Sequence, residues 1–195
     1  MPTGTLEDLV ESLKHKSQRV LFAGVPGTGK TTLAGSLALQ HLKARPPRPG
    51  YLLTCDPVRQ LDALQAVGAR RVDLADVDGD GAPRWADRPS RHWRDRHLVI
   101  IDEAHRWTTN PERAALTLLI RESRPRGCHL FLTSQRPAGL ASVSVDLVEL
   151  LDWVVCGCMP GDRNLDYLRL AVGADMGATA TLQPFHYLVW KVTPF

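Results

Sequence analysis

The sequence predicts an α/β fold: a mainly parallel sheet sandwiched between helices, with one or more antiparallel strands at the C-terminus. Two observations carry the expectation. Short apolar runs alternate with segments of helical period, the pattern of parallel strands buried on both faces. A glycine-rich turn also joins the first apolar strand to a long helical segment, and open sheets of this kind take their ligands at the carboxyl ends of the strands.

The elements follow in chain order. Residues 1–18 hold an N-terminal helix, because Leu6, Leu9, Val10 and Leu13 recur at helical spacing and Thr5 with Asp8 makes a capping box. "RVLFAGV" is a buried strand and "KTTLAGSLALQHLKA" the helix after it. "RPPRPG" breaks the chain before a second strand, "YLLTCD", and "PVRQLDALQAVGA" is expected to be helical. Residues 72–96 lack periodicity and form an irregular insertion, with a short strand at "RRVDL". "HLVIID" is a strand, "PERAALTLLIRES" a helix with Pro111 in its first turn, and "CHLFLT" another strand. "SVDLVELL" is a short helix, "DWVVCGCM" a strand, and "DRNLDYLRLAVG" a helix closing at Gly173. "ATLQPFHYLVWKV" gives one or two final strands, broken near Gln183 and Pro184.

Composition narrows the class. The chain of 195 residues is 44% apolar and 23% charged, the mix of a globular protein with one core, so residues 1–195 are read as a single domain. A net charge of +3 permits a polyanionic partner without arguing for one. Cys55, Cys128, Cys156 and Cys158 lack further ligands at zinc spacing and read as reduced thiols, with Cys156 and Cys158 on one strand face. No apolar run reaches membrane-spanning length and the N-terminus is no secretory signal, so an intracellular protein is expected.

"GVPGTGKTT", Gly24 to Thr32, fits G-x-x-x-x-G-K-[ST] between a strand and a helix. It resembles a Walker A loop, which implies a RecA-like P-loop NTPase. The loop residues Gly24, Val25, Pro26, Gly27, Thr28 and Gly29, followed by Lys30, Thr31 and Thr32, would then hold the phosphates of ATP. Lys30 would meet the β and γ phosphates, and the Thr31 hydroxyl would bind Mg²⁺.

"HLVIIDEAH" sends four apolar residues into two carboxylates at a strand's end and resembles a Walker B motif. Asp102 would hold Mg²⁺ and Glu103 would polarise the attacking water; the plainer reading of Glu103 is a helix cap. Asp102 to His105 spells the D-E-A-H of a helicase group, but such helicases need two RecA-like domains, so His105 reads as a structural or coupling residue. Gln135 ends the "CHLFLT" strand, expected between the first strand and the acidic one, where a glutamine can sense the γ-phosphate.

"SRPRGCHLFLTSQRP", Ser123 to Pro137, resembles a pattern of the FtsK–HerA superfamily of DNA-pumping ATPases through Arg124, Gly127, His129, Leu130, Leu132, Ser134, Gln135, Arg136 and Pro137. Ser123 and Cys128 depart from that pattern. The resemblance runs from about residue 19 to the C-terminus, with residues 57–96 unmatched. It implies that Arg124 is an arginine finger reaching the nucleotide of the next subunit, hence a homo-oligomeric ring, hexameric by family analogy, threading double-stranded DNA. Arg121 and Arg126 are the fallback candidates, and a solvated basic helix end is the plainer reading. No role follows for Arg136.

The run 84–97 interleaves Arg84, Arg88, Arg91, Arg94 and Arg96 with Trp85 and Trp93; it suits a DNA-facing channel loop or a solvated loop equally. "KARPPRPG" reads as a connector, and the acidic run 73–81 as a solvated turn lacking the final glutamate of a Ca²⁺ loop. The compact chain resembles the genome-packaging ATPases of tailless, membrane-containing viruses, which implies an ATP-driven pump filling a preformed capsid. It further implies a capsid or vertex protein as partner and a place in the host cytoplasm or with the virion. The alternatives are a plasmid mobilisation or conjugation ATPase, a filamentous-phage assembly ATPase, and, in another class, a small P-loop switch or kinase that does not touch DNA.

Overall fold

The computed structural model describes residues 3–43, 50–54, 61–73, 98–107, 110–142 and 147–192. Cys55, the run 84–97, nearly all of "KARPPRPG" and all but the first two residues of 72–96 lie outside them.

Seven strands make one sheet among the described residues: β1 (Arg19–Ala23), β2 (Gly50–Thr54), β3 (Ala69–Asp73), β4 (Leu98–Asp102), β5 (His129–Ser134), β6 (Trp153–Cys156) and β7 (Leu188–Lys191). Their spatial order is β3-β2-β4-β5-β1-β6-β7. Every neighbouring pair is parallel except β6 with β7. The expected α/β fold with a C-terminal antiparallel strand is therefore present, and β5 lies between β1 and β4 as its sequence suggested.

The α-helices among the described residues are α1 (Leu6–His15), α2 (Lys30–Lys43), α3 (Asn110–Ser123), α4 (Leu147–Leu150) and α5 (Asp162–Val172). The period of two along β1 splits the core between the faces of the sheet. Val20 and Phe22 join Leu9 and Leu13 of α1 and Leu37 and Leu42 of α2. Leu21 and Ala23 join Leu116 and Leu119 of α3 and Leu165 and Leu168 of α5 on the other face. Each fully buried leucine, such as Leu116 and Leu119, contributes about 1.5–3 kcal/mol, so packing holds α3 in place more than helix propensity does.

Local signals act where the sequence put them. The Thr5 hydroxyl accepts from the Asp8 N–H at 3.1 Å and Asp8 accepts from the Thr5 N–H at 2.9 Å, closing the capping box of α1. Gly173 ends α5 in the left-handed region. Two expectations need correction. The helix expected over "PVRQLDALQAVGA" is a 3-10 turn at Asp62–Val67 within the described residues. Leu61, Leu64 and Val67 recur every third residue, the period of that tighter helix, and Leu61 and Leu64 are buried. The strand in "DWVVCGCM" ends at Cys156, where pairing with β7 stops. Cys156 is buried and Cys158 only half-buried beyond it.

Candidate active site

The sheet order brings the carboxyl ends of β1, β4 and β5 side by side, and their following residues build one cluster. Gly24–Gly29 turns the chain from β1 into α2, and Lys30, Thr31 and Thr32 open the helix. The turn is pinned on both sides: the Gly24 N–H donates to the Ser134 carbonyl at 3.2 Å, and the Val25 N–H to the Cys158 carbonyl at 2.9 Å. No acidic side chain lies in the first turn of α2, so the positive end of its dipole is left for an anion. Pro26, Gly27 and Thr32 are exposed, whereas Thr28, Lys30 and Thr31 are buried.

β4 supplies the two acids. Asp102 Oδ1 accepts from Thr31 Oγ1 at 3.0 Å and from Thr133 Oγ1 at 2.6 Å. Glu103 leaves the strand at φ 52°, and its N–H donates to the same Thr133 hydroxyl at 2.8 Å. Its carboxylate is then surrounded. Lys30 Nζ lies 2.8 Å from Oε1, and Gln135 Nε2 donates to that oxygen at 2.8 Å. The Gln135 N–H donates to Oε2 at 3.2 Å, and His105 Nδ1 lies 3.2 Å from Oε2. Lys30 and the two donors of Gln135 thus engage three of the roughly four lone-pair sites of this carboxylate.

His105 also lies 3.2 Å from Ser134 Oγ. Burial lowers its pKa from the ordinary value, with Glu103 pulling the other way, so the ring is neutral near pH 7. The neutral ring packs against the Glu103 carboxylate and is tied to Ser134. The Thr31 hydroxyl and Asp102 carboxylate present facing oxygens, the donors a hard divalent cation takes, so the pair fits Mg²⁺. Among the described residues no group of three or more His, Cys, Asp or Glu could hold a metal.

Arg124 sits at the opposite end of β5. The strand's six residues span roughly 20 Å, so Arg124 and Gln135 lie beyond opposite ends of the strands. The Arg124 guanidinium is half-exposed and pairs with Asp152. Asp152 also accepts from the Arg19 N–H at 2.8 Å and from Arg19 Nε at 3.3 Å. Of the fallback residues, Arg126 pairs with Glu122 at 3.1 Å and Arg121 is exposed on α3. Arg136 is exposed just past Gln135, its N–H donating to Ser134 Oγ at 3.1 Å.

Thr133 and Asp152 are the residues that sequence reasoning missed. Thr133 was legible as a polar residue closing an otherwise apolar strand. Asp152 left only the trace of an acid directly before a strand, because its partners lie 133 and 28 residues away.

No family model matches the sequence, and no curated protein matches it. Solved structures do match the fold. The genome packaging NTPase B204 from Sulfolobus turreted icosahedral virus 2, in complex with AMP, is similar with a TM-score of 0.64 at 16% identity, over 90% of this chain and 93% of that one. The pCW3 conjugation coupling protein TcpA gives 0.61 at 18% identity, over 92% of this chain and 58% of that one. VirB4 of Thermoanaerobacter pseudethanolicus gives 0.61 at 10% identity, over 94% and 91%. At these identities the likeness is one of fold. The chain has the P-loop NTPase fold, and a viral genome-packaging protein is among the structures that share it. No helix of the described residues is long and apolar enough to cross a membrane.

Proposed function

We propose that this chain is an ATP-hydrolysing translocase that pumps double-stranded DNA, working as a homo-oligomeric ring, hexameric by family analogy, to package a viral genome into a preformed capsid. One observation carries the ATPase reading: Lys30, Thr31, Asp102, Glu103 and Gln135, from three separate elements, meet in a single hydrogen-bonded cluster behind a glycine-rich loop. The fold shared with a genome-packaging NTPase solved with AMP, ATP-gammaS and AMPPCP supports the extension to DNA pumping.

The phosphates of ATP enter the Gly24–Thr32 loop and are held by backbone N–H groups and the α2 N-terminus. Lys30 exchanges Glu103 for the β and γ phosphates. Thr31 and Asp102 would hold Mg²⁺, which offsets phosphate charge when bound. Glu103, released from Lys30, accepts a proton from water as the water oxygen attacks the γ-phosphorus. The bond to the β–γ bridging oxygen breaks, giving ADP and phosphate, while Gln135 keeps Glu103 and the water aligned. Arg124 cannot reach this site within its own subunit, so it serves the neighbour in the ring, where such a finger is worth about 10³–10⁵ in rate. A capsid or vertex protein is the docking partner this role requires, in the host cytoplasm or on the virion.

The test is mutational. Lys30→Ala should lose ATP binding; Glu103→Gln should bind ATP and stall. Arg124→Ala should bind ATP yet fail to hydrolyse it, and mixing it with Glu103→Gln chains should restore part of the activity. Full activity of Arg124→Ala alone ends the finger assignment, and an ATPase rate indifferent to double-stranded DNA ends the motor. The fold shared with TcpA favours a second reading, a conjugation ATPase. Capture of a capsid protein by the ring separates the two.

A further inference from the structure

Phe185 breaks a local rule beside the phosphate loop. Its φ is 63°, a left-handed conformation that bulky residues rarely adopt, and 67% of its surface is exposed. Strain of this kind persists only where the surroundings over-determine it. Here they do. The Phe185 N–H donates to the Thr28 carbonyl at 3.2 Å, and the Tyr187 hydroxyl donates to the same carbonyl at 2.6 Å. The His186 N–H closes the turn on the Gln183 carbonyl at 3.1 Å. One edge of the Phe185 ring rests on Gly29, so close that a Cβ there would lie 2.5 Å from two ring carbons and 2.7 Å from the Tyr187 hydroxyl.

The loop before β7 is thus bolted to the phosphate loop and holds an aromatic ring with one side on Gly29 and the rest in solvent. It lies toward β6 and β7, across β1 from the acidic cluster on β4 and β5. A nucleotide whose γ-phosphate meets Glu103 and Gln135 extends away from β4, toward this ring. A second copy of the chain could also cover an exposed phenylalanine, but would not need it fastened to the phosphate loop at a strained φ.

We infer that Phe185 is a nucleobase platform: the purine of the bound nucleoside triphosphate stacks on its exposed face, and Tyr187 positions the ring by anchoring the loop to Thr28. This rests on the nucleotide-binding reading proposed above.

The experiment is calorimetric titration of the full chain with ATP and, separately, with inorganic tripolyphosphate, which carries the phosphates without a base. Stacking on an aromatic ring predicts that Phe185→Ala loses about 5- to 150-fold in ATP affinity while its tripolyphosphate affinity is unchanged. Phe185→Trp keeps ATP affinity. Phe185→Gly loses it without a lower melting temperature, since glycine accepts this φ freely. Tyr187→Phe weakens ATP binding and leaves tripolyphosphate binding intact. Equal ATP affinity in Phe185→Ala and the parent overturns the platform, whether or not oligomer size changes. An equal loss of both ligands overturns it too, because the ring would then only shape the phosphate loop. If the parent binds neither ligand, the nucleotide reading itself fails and the platform falls with it.

Discussion

Replacing Thr133 by valine keeps the side-chain shape and removes one hydroxyl that makes two hydrogen bonds. Thr133 has no exposed surface. Its hydroxyl donates to Asp102 Oδ1 at 2.6 Å and accepts from the Glu103 N–H at 2.8 Å. In the variant the Glu103 N–H is buried without that acceptor, at a cost of about 1–3 kcal/mol, and a bond to a carboxylate worth about 1.5–3 kcal/mol is lost. The two losses share one hydroxyl and valine gains some apolar burial, so about 2–4 kcal/mol is the expected net. At about 2–4 °C per kcal/mol for a chain of this size, the melting temperature falls by about 4–16 °C. There is a second consequence. The hydroxyl helps hold Glu103 at φ 52°, a conformation that costs on the order of 1–3 kcal/mol and relaxes when its restraint goes. Glu103 then drifts from Lys30 and Gln135, and ATP turnover drops beyond what instability explains. Thermal melts and phosphate release measured well below the melting temperature separate the effects, with Thr133→Ser as the control that keeps the hydroxyl. A Thr133→Val protein that melts within about 2 °C of the parent and turns over ATP at the parent rate refutes the reasoning.

Three further outcomes follow from the same geometry. Asp152→Ala strands the buried Arg19, whose pKa burial already depresses against the pull of Asp152; the loss should be about 3–5 kcal/mol by denaturant unfolding, whereas Arg124→Ala at the half-exposed arm should cost under about 1 kcal/mol. Equal costs would show that Asp152 serves both arginines alike. His105 is held below its ordinary pKa of 6.5 by burial, so the stability of its neutral form is complete above that value and is lost as pH falls below it. His105→Asn should therefore flatten the fall in melting temperature below about pH 6.5, and identical slopes in the two proteins contradict this. Burial pushes the Cys128 and Cys156 thiols up to about 12, so neither is a thiolate near neutral pH. Mass-spectrometric mapping after brief alkylation of native protein should find label at Cys158 and none at those two; early label at either contradicts their burial.

The fold was legible where a physical signal is local and periodic. Alternating apolar runs gave the strands, the Thr5–Asp8 pair gave the start of α1, and Gly173 marked the end of α5. The strand–loop–helix arrangement around Gly24–Thr32 is present as read, and Lys30, Thr31, Asp102, Glu103 and Gln135 do converge. What escaped is non-local or conformational. The clamp of Asp152 on Arg19 and Arg124 joins three strand and helix ends that no spacing relates. Thr133 acts through a hydroxyl that strand periodicity treats as one more inward side chain. The left-handed Phe185 leaves no compositional mark, because positive φ is signalled by glycine or asparagine and here falls on an aromatic. The 3-10 turn at Asp62–Val67 was misread because leucines at spacing three also fit an α-helical stripe.

In the free chain the charged groups proposed for catalysis are already paired: Lys30 with Glu103, Arg124 with Asp152. That arrangement argues for a slow isolated subunit. Lys30 and Glu103 are both buried, and removing one partner of a buried pair leaves the other charge uncompensated, at several kcal/mol. ATP can draw Lys30 away because its phosphates offer a larger anionic charge at the end of a helix dipole. Glu103 is then left with the two neutral donors of Gln135, and the side of its carboxylate that Lys30 covered is open to water. On the proposed mechanism, nucleotide binding therefore frees the carboxylate that faces the attacking water. Arg124 differs in kind. Its pair is half in solvent and worth little, so in the proposed ring a neighbour's phosphates would claim it without unfolding the Arg19–Asp152 clamp beneath. Between the two ends runs β5, six residues buried without exception and hydrogen-bonded to β1 on one side and β4 on the other, a stiff connection. In the proposed ring, β5 would therefore be the link within one subunit between Gln135 at its own nucleotide and Arg124 at the neighbour's.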